Sequence, residues 1–188
     1  AGIEAHLRAM AECTPLPQMI YDIPVRTGRK ISTTTLLRLF REVPTIVALK
    51  DAAGDPGETA VLIANAPESV EVYSGDDGMT LPLLASGIVG AVGVATHWTA
   101  PDHQEMFDLW EKGDTVGARL VNARLLESFA FETGDDAPNP IPTKAMMRHL
   151  GFKVGQARLP MGPAPEFVET RAPEVWSNLQ RWRDAFPQ

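Results

Sequence analysis

The sequence predicts an α/β fold of parallel βα units, of the kind that closes into a (β/α)8 barrel, followed by an all-helical tail. Three observations predict it. Short apolar stretches rich in β-branched residues alternate with helical patterns up to Ala95, which implies parallel strands joined by right-handed crossovers. Neither G-x-G-x-x-G nor G-x-x-x-x-G-K-S/T occurs, as would be normal for a doubly wound nucleotide-binding sheet, the other home of such units. Titratable groups fall at the C-terminal ends of several strands, where a barrel gathers its reactive side chains.

Taken in order, Ile3, Leu7, Met10 and Ala11 keep helical spacing, so residues 2–13 read as a helix already under way at the first residue, in a chain cut from something longer. Residues 17–23 read as a strand carrying Tyr21 into the corner Y-D-I-P-V-R-T-G, and 32–42 as a helix capped by Ser32 and the threonines after it. The stretch T-I-V-A-L-K-D-A-A-G, Thr45 to Gly54, contains a strand over 44–50 with Lys50 at its end. Residues 57–66 read as helix, 69–74 as strand, 78–87 as a short helix and 88–95 as strand. Gly90 and Gly93 in that last strand remove side chains where a ligand at a barrel mouth comes close to the backbone. Thereafter 99–112, opened by Thr99 before Pro101, then 114–132, 141–150 ending at Gly151, and 165–185, interrupted at Pro173, all read as helix. Gly134 to Pro142 reads as a loop. The expected organisation is a strand-bearing part over 1–112 and a helical extension over 113–188.

Composition narrows the partners. The 188 residues are 44% apolar and carry 24 acidic against 17 basic side chains, a formal charge of −7 without a basic cluster, which argues against nucleic acid and anionic membranes. No apolar run approaches membrane-spanning length, and no charged n-region or long apolar h-region suggests a signal peptide. Cys13, the one cysteine, excludes an internal disulfide and suits a reducing cytoplasm, and the four histidines lack metal-ligand spacing, so no metal is implied. The four tryptophans read as packing residues on helix faces.

The segments Y-D-I-P-V-R-T-G (Tyr21 to Gly28), V-A-L-K-D-A (Val47 to Ala52), Y-S-G-D-D (Tyr73 to Asp77), P-N-P-I-P-T-K (Pro138 to Lys144) and R-L-P-M (Arg158 to Met161) resemble the dihydrodipicolinate synthase family of pyruvate-dependent, Schiff-base-forming aldolases. They stand in the family's order and at about its spacing. The resemblance implies a (β/α)8 TIM barrel of which this chain would be the second half, strands 5 to 8, with the C-terminal helical extension. It implies an enzyme that condenses pyruvate with L-aspartate 4-semialdehyde on the diaminopimelate route to lysine, as a cytoplasmic homotetramer. No cofactor is implied beyond the covalent pyruvate imine on Lys50.

By the same resemblance Lys50 and Tyr21 are catalytic, and Arg26, Gly75, Asp76 and Val92 contact substrate. The chemistry suits the residue types. A lysine amine attacks a keto carbon only when neutral, roughly one molecule in 2,500 at pH 7 for an ordinary lysine, so an apolar strand end that disfavours the ammonium form would help. A phenol such as Tyr21 both gives and accepts protons, and the guanidinium fork of Arg26 matches the semialdehyde carboxylate. The R-T-G corner points to aspartate semialdehyde over sugar acids. The threonine pair that grips pyruvate and the relay tyrosine lent by a neighbouring subunit would lie in the missing half, so this chain alone is expected to be inactive. The readings set against this one are a sister aldolase or lyase, of N-acetylneuraminate lyase or 2-keto-3-deoxy sugar acid type, and a non-catalytic binding or assembly module.

Overall fold

The strands pair in parallel, and the helices between them start at recognisable caps. The structure, a computed structural model, describes residues 1–134 and 136–185, so Asp135 in the Gly134 to Pro142 loop lies outside the described residues. It divides into two units, Ala1–Val92 and Gly93–Gln188.

In the first unit the order is α1 (Gly2–Glu12), β1 (Gln18–Asp22), α2 (Pro24–Thr27), α3 (Thr33–Glu42), β2 (Ile46–Asp51), α4 (Pro56–Asn65), β3 (Glu71–Ser74), a 3-10 turn (Asp77–Met79), α5 (Thr80–Leu84) and β4 (Gly90–Ala91). The strands form a parallel sheet in the order β1-β2-β3-β4. The Ser32 hydroxyl accepts from Thr35 N–H at the start of α3, as expected. Asp55, which the sequence reading passed over, caps α4 by accepting from Glu58 N–H, with Pro56 at the first helical position where its missing N–H costs nothing. The short helix α2 was also unforeseen; it lies in the Y-D-I-P-V-R-T-G corner and closes on Gly28 at φ +74°, where a side chain would be strained.

One expectation about the sheet changes. The last strand is two residues long rather than spanning 88–95, because its glycines give little side-chain packing to hold it extended. Backbone bonds from Val89 N–H to Val72 C=O and from Val92 N–H to Ser74 C=O nonetheless carry the β3 pairing to either side of it. Among the described residues these four strands make an open sheet and not a closed barrel. Alternation along the strands sends Ile20, Asp22, Leu49, Asp51, Val72 and Ser74 to one face, all buried, and Met19, Tyr21, Lys50, Glu71 and Tyr73 to the other, where they stay exposed or half-buried although Ala48, in register with Met19, is buried there.

The second unit holds α6 (Thr96–Glu111), α7 (Thr115–Glu132), α8 (Ile141–His149) and α9 (Glu166–Ala185). Because α6 packs along α7, it groups with the helical unit, and the division falls at Val92 and Gly93, ahead of residue 112. Thr99 is no cap: it is buried within α6, and its hydroxyl turns back to donate to Ala95 C=O at 2.8 Å. Nor does Pro173 interrupt α9, since Val168, Ala172, Val175 and Leu179 bury one face of the helix and outweigh the lost N–H. Buried Asp102 accepts ion pairs from Arg124 at 2.9 Å and Arg183 at 2.5 Å, joining α6, α7 and α9. Lys144 of the P-N-P-I-P-T-K segment donates to Val154 C=O at 2.6 Å and Gln156 C=O at 3.2 Å, which ties the loop after α8 back to that helix. Trp98 is buried as expected of a packing residue, whereas Trp182 is about half exposed. Among the described residues no helix is long and apolar enough to cross a membrane.

Candidate active site

Parallel register assembles the site. Tyr21 on β1 is paired with Lys50 on β2, Lys50 with Tyr73 on β3, and Tyr73 with Gly90 on β4, so four residues from four strands form one row across the open face. A second row lies two residues further on, where alternation returns each side chain to the same face: Ala52, Gly75 and Val92. The backbone holds this row level, because each strand's last carbonyl accepts from the amide just beyond the end of the neighbouring strand. Asp22 C=O takes Ala52 N–H at 2.9 Å, Asp51 C=O takes Gly75 N–H at 2.7 Å and Ser74 C=O takes Val92 N–H at 2.8 Å.

Within these rows Lys50 has a defined track. Its ammonium lies 4.1 Å from the centroid of the Tyr21 ring, over the face of the phenol, a cation–π placement. Its stem crosses Gly75 so closely that a Cβ there would stand 2.8 Å from Cγ, 2.9 Å from Cε and 3.1 Å from the Ala52 methyl. Glycine at 75 is therefore what lets the lysine lie where it does. Lys50 is half-buried, so the desolvation expected of an apolar strand end is partial in this chain.

The remaining expected residues are placed less directly. Val92 has its N–H tied to β3 and its side chain 40% exposed. Asp76 follows Gly75 and is exposed, and one of its carboxylate oxygens is engaged in accepting from Gly78 N–H at 3.0 Å, capping the 3-10 turn. Arg26 is exposed on α2, and its guanidinium makes no hydrogen bond or ion pair among the described residues. The structure thus brings Tyr21, Lys50, Gly75 and Val92 onto two adjacent rows, with Arg26 and Asp76 on the turns that follow β1 and β3.

Tyr73 is the residue the sequence reading missed. It flanks Lys50 in register opposite Tyr21, and its ring lies against Gly90, where a Cβ would come within 2.8 Å of it. Its hydroxyl donates to the Glu71 carboxylate at 2.5 Å, and that hydrogen bond, then burial and the carboxylate's charge, raise the phenol above its ordinary value. The signal was present in Y-S-G-D-D, since Tyr73 precedes Gly75 by two and so shares its face.

On the opposite face the buried strand-end groups are engaged. Asp51 accepts from Ala53 N–H at 2.9 Å and Thr59 Oγ1 at 2.6 Å, and Ser74 Oγ donates to Asp76 C=O at 2.7 Å. Asp22 accepts from Ile31 N–H through both oxygens, at 3.2 and 3.3 Å. Burial raises the Asp22 carboxyl above its ordinary value; the Ile31 amide and Lys30 oppose the rise, and the charges of Asp51 and Glu58 add to it.

This row geometry can be set beside known proteins. The model described as the Dihydrodipicolinate synthetase family matches residues 1–177. The chain belongs to that family. It is 42% identical over 178 residues to the 4-hydroxy-tetrahydrodipicolinate synthase of Bacillus velezensis, covering 95% of this chain and 61% of that protein. The Bacillus subtilis synthase is 39% identical over 165 residues, covering 88% of this chain and 56% of its own length. Among solved structures, the DHDPS of Cyanidioschyzon merolae with lysine bound superposes at a TM-score of 0.89 with 37% identity, over 95% of this chain and 60% of that one. The Aquifex aeolicus dihydrodipicolinate synthase does so at 0.87 with 31% identity, over 95% and 60%. The chain therefore spans about three fifths of the length of the relatives it matches. This corrects the expectation of a second half made of strands 5 to 8: what the comparisons support is a parallel α/β sheet of the barrel family, not that assignment of its strands.

Proposed function

We propose that this family member acts as a 4-hydroxy-tetrahydrodipicolinate synthase, with Lys50 as the amine that forms an imine with pyruvate and L-aspartate 4-semialdehyde as the acceptor. The observation that carries the reading is the lysine lodged between Tyr21 and Tyr73 with its stem packed over Gly75. The amine stands at a strand end on a half-buried residue, so a keto acid can approach it from solvent. The amine adds to the keto carbon and the keto oxygen departs as water, leaving a C=N bond. The iminium draws electrons from the methyl carbon, which loses a proton to become an enamine. The enamine carbon then bonds to the aldehyde carbon, and the aldehyde oxygen takes up a proton.

Tyr21 is our acid–base group, because its ring already touches the amine. Arg26, exposed and without a protein partner among the described residues, is our carboxylate clamp for the semialdehyde. Gly75, Asp76 and the Val92 backbone border the bound acids. The cytoplasm and a homotetramer are our reading of compartment and assembly.

Borohydride reduction in the presence of pyruvate, followed by peptide mass spectrometry, tests the core of this reading. The pyruvyl adduct should sit on the peptide containing Lys50; an adduct on another lysine, or none, would end it. A panel of aldehydes offered with pyruvate then separates a synthase, which consumes aspartate semialdehyde, from a sister aldolase that prefers sugar acids.

A further inference from the structure

The corner that carries Arg26 has little to hold it. No residue of α2 is buried, and Val25 stands 83% exposed. Local hydrogen bonds shape it: Gly28 N–H donates to Pro24 C=O at 2.7 Å, and the single proton of Thr27 Oγ1 has Ile23 C=O at 3.1 Å and Arg29 C=O at 3.0 Å within reach. None of these ties the corner to the sheet. Asp22 does. Its carbonyl is fastened to β2 through Ala52 N–H, and its side chain, 2% exposed, reaches across the corner to the amide of Ile31, itself buried. One residue thus holds both ends of the segment 23–31.

We propose that Asp22 is the positioning residue for Arg26, a latch that closes the corner on the sheet and fixes where the guanidinium is presented. That Arg26 meets an acceptor carboxylate rests on the function proposed above; the latch itself does not. Asn at 22 would keep an acceptor for Ile31 N–H, whereas Ala would remove it and leave that buried amide without its partner. The groups facing the carboxyl are Lys30, which pairs with Glu58 at 2.6 Å, Asp51 on the neighbouring strand, and Glu58 itself.

Hydrogen exchange of the intact protein reads the latch without substrate. In Asp22→Ala the amides of 23–31 should exchange about tenfold faster or more while those of 46–51 keep their protection, and Asp22→Asn should stay within about threefold of the original. Steady-state kinetics should show the semialdehyde KM rising about tenfold in Asp22→Ala with a smaller change in kcat, again restored by Asn. Unchanged exchange over 23–31 in the Ala variant, or an Asn variant as fast as the Ala one, overturns the proposal. Should the Ala variant not fold, the unsubstituted protein decides: an Ile31 amide exchanging as fast as those of exposed Arg26 and Arg29 also overturns it. Faster exchange in the absence of any pyruvate adduct would leave the latch standing and remove the synthase reading.

Discussion

The two faces of the four-stranded sheet use their strand ends for opposite purposes. On one face Asp22, Asp51 and Ser74 are buried, and each spends its polar atoms holding the turn that follows its own strand: Ile31, Ala53 with Thr59, and Asp76. On the other, one residue earlier, Tyr21, Lys50 and Tyr73 are exposed or half-buried and open to a ligand. A period of two separates stability from chemistry along the same three strands, so a slip of one residue would exchange them. The face that folds the turns also aims the groups those turns carry.

The sharpest way to break this comparison is to substitute neighbours. Leu49→Ala, at a site 1% exposed, should lower stability by about 2–5 kcal/mol, whereas Lys50→Ala next to it should abolish the borohydride-trapped adduct and leave the unfolding midpoint close to the original. Denaturant titration of both variants beside the trapping assay checks the pair, and a Lys50 variant that unfolds as readily as Leu49→Ala would deny the division. Thr59→Val removes the hydroxyl that donates to Asp51 at 2.6 Å and leaves the carboxylate short of a donor, a loss of about 1–3 kcal/mol in the same titration.

Gly75→Ala sharpens the boundary between the faces. The added methyl meets Lys50 as near its root as Cγ, as well as the Ala52 methyl, so stability should fall by about 1–3 kcal/mol while adduct formation slows by about tenfold or more; rates of imine trapping at fixed pyruvate measure it.

Proton linkage distinguishes the faces more gently. Because burial raises the Asp22 carboxyl in the folded state, its contribution to stability is fully present below the ordinary value of 3.8 and is lost as pH rises through the raised value. Asp22→Asn should therefore gain on the original protein as pH rises above about 4, seen as a flatter dependence of the melting temperature on pH. The smallest effect belongs to Glu71→Gln, which should let the Tyr73 phenol titrate nearer its ordinary value in an ultraviolet titration, with Tyr73→Phe as the control that removes the transition.

Much of the first unit is legible in local sequence. The β-branched run before Lys50, the Ser32 cap and the alternation of strand and helix depend on residues within a few positions of one another, where propensity and periodicity act. So does the identity of the strand-end groups Tyr21 and Lys50. The helical unit shows the limit of that range: local rules for Thr99 and Pro173 lost to buried helix faces, whose packing outweighs a cap or a missing N–H. Only the tertiary structure decided which strand lies beside which and in what register, since those pairings join residues about seventeen or more apart in the chain. Register made a partner of Tyr73, set Gly75 under the lysine stem and turned Asp22 toward Ile31. Residues distant in sequence meet only when loop closure is offset by shared burial, and no short window of sequence contains both sides of that balance.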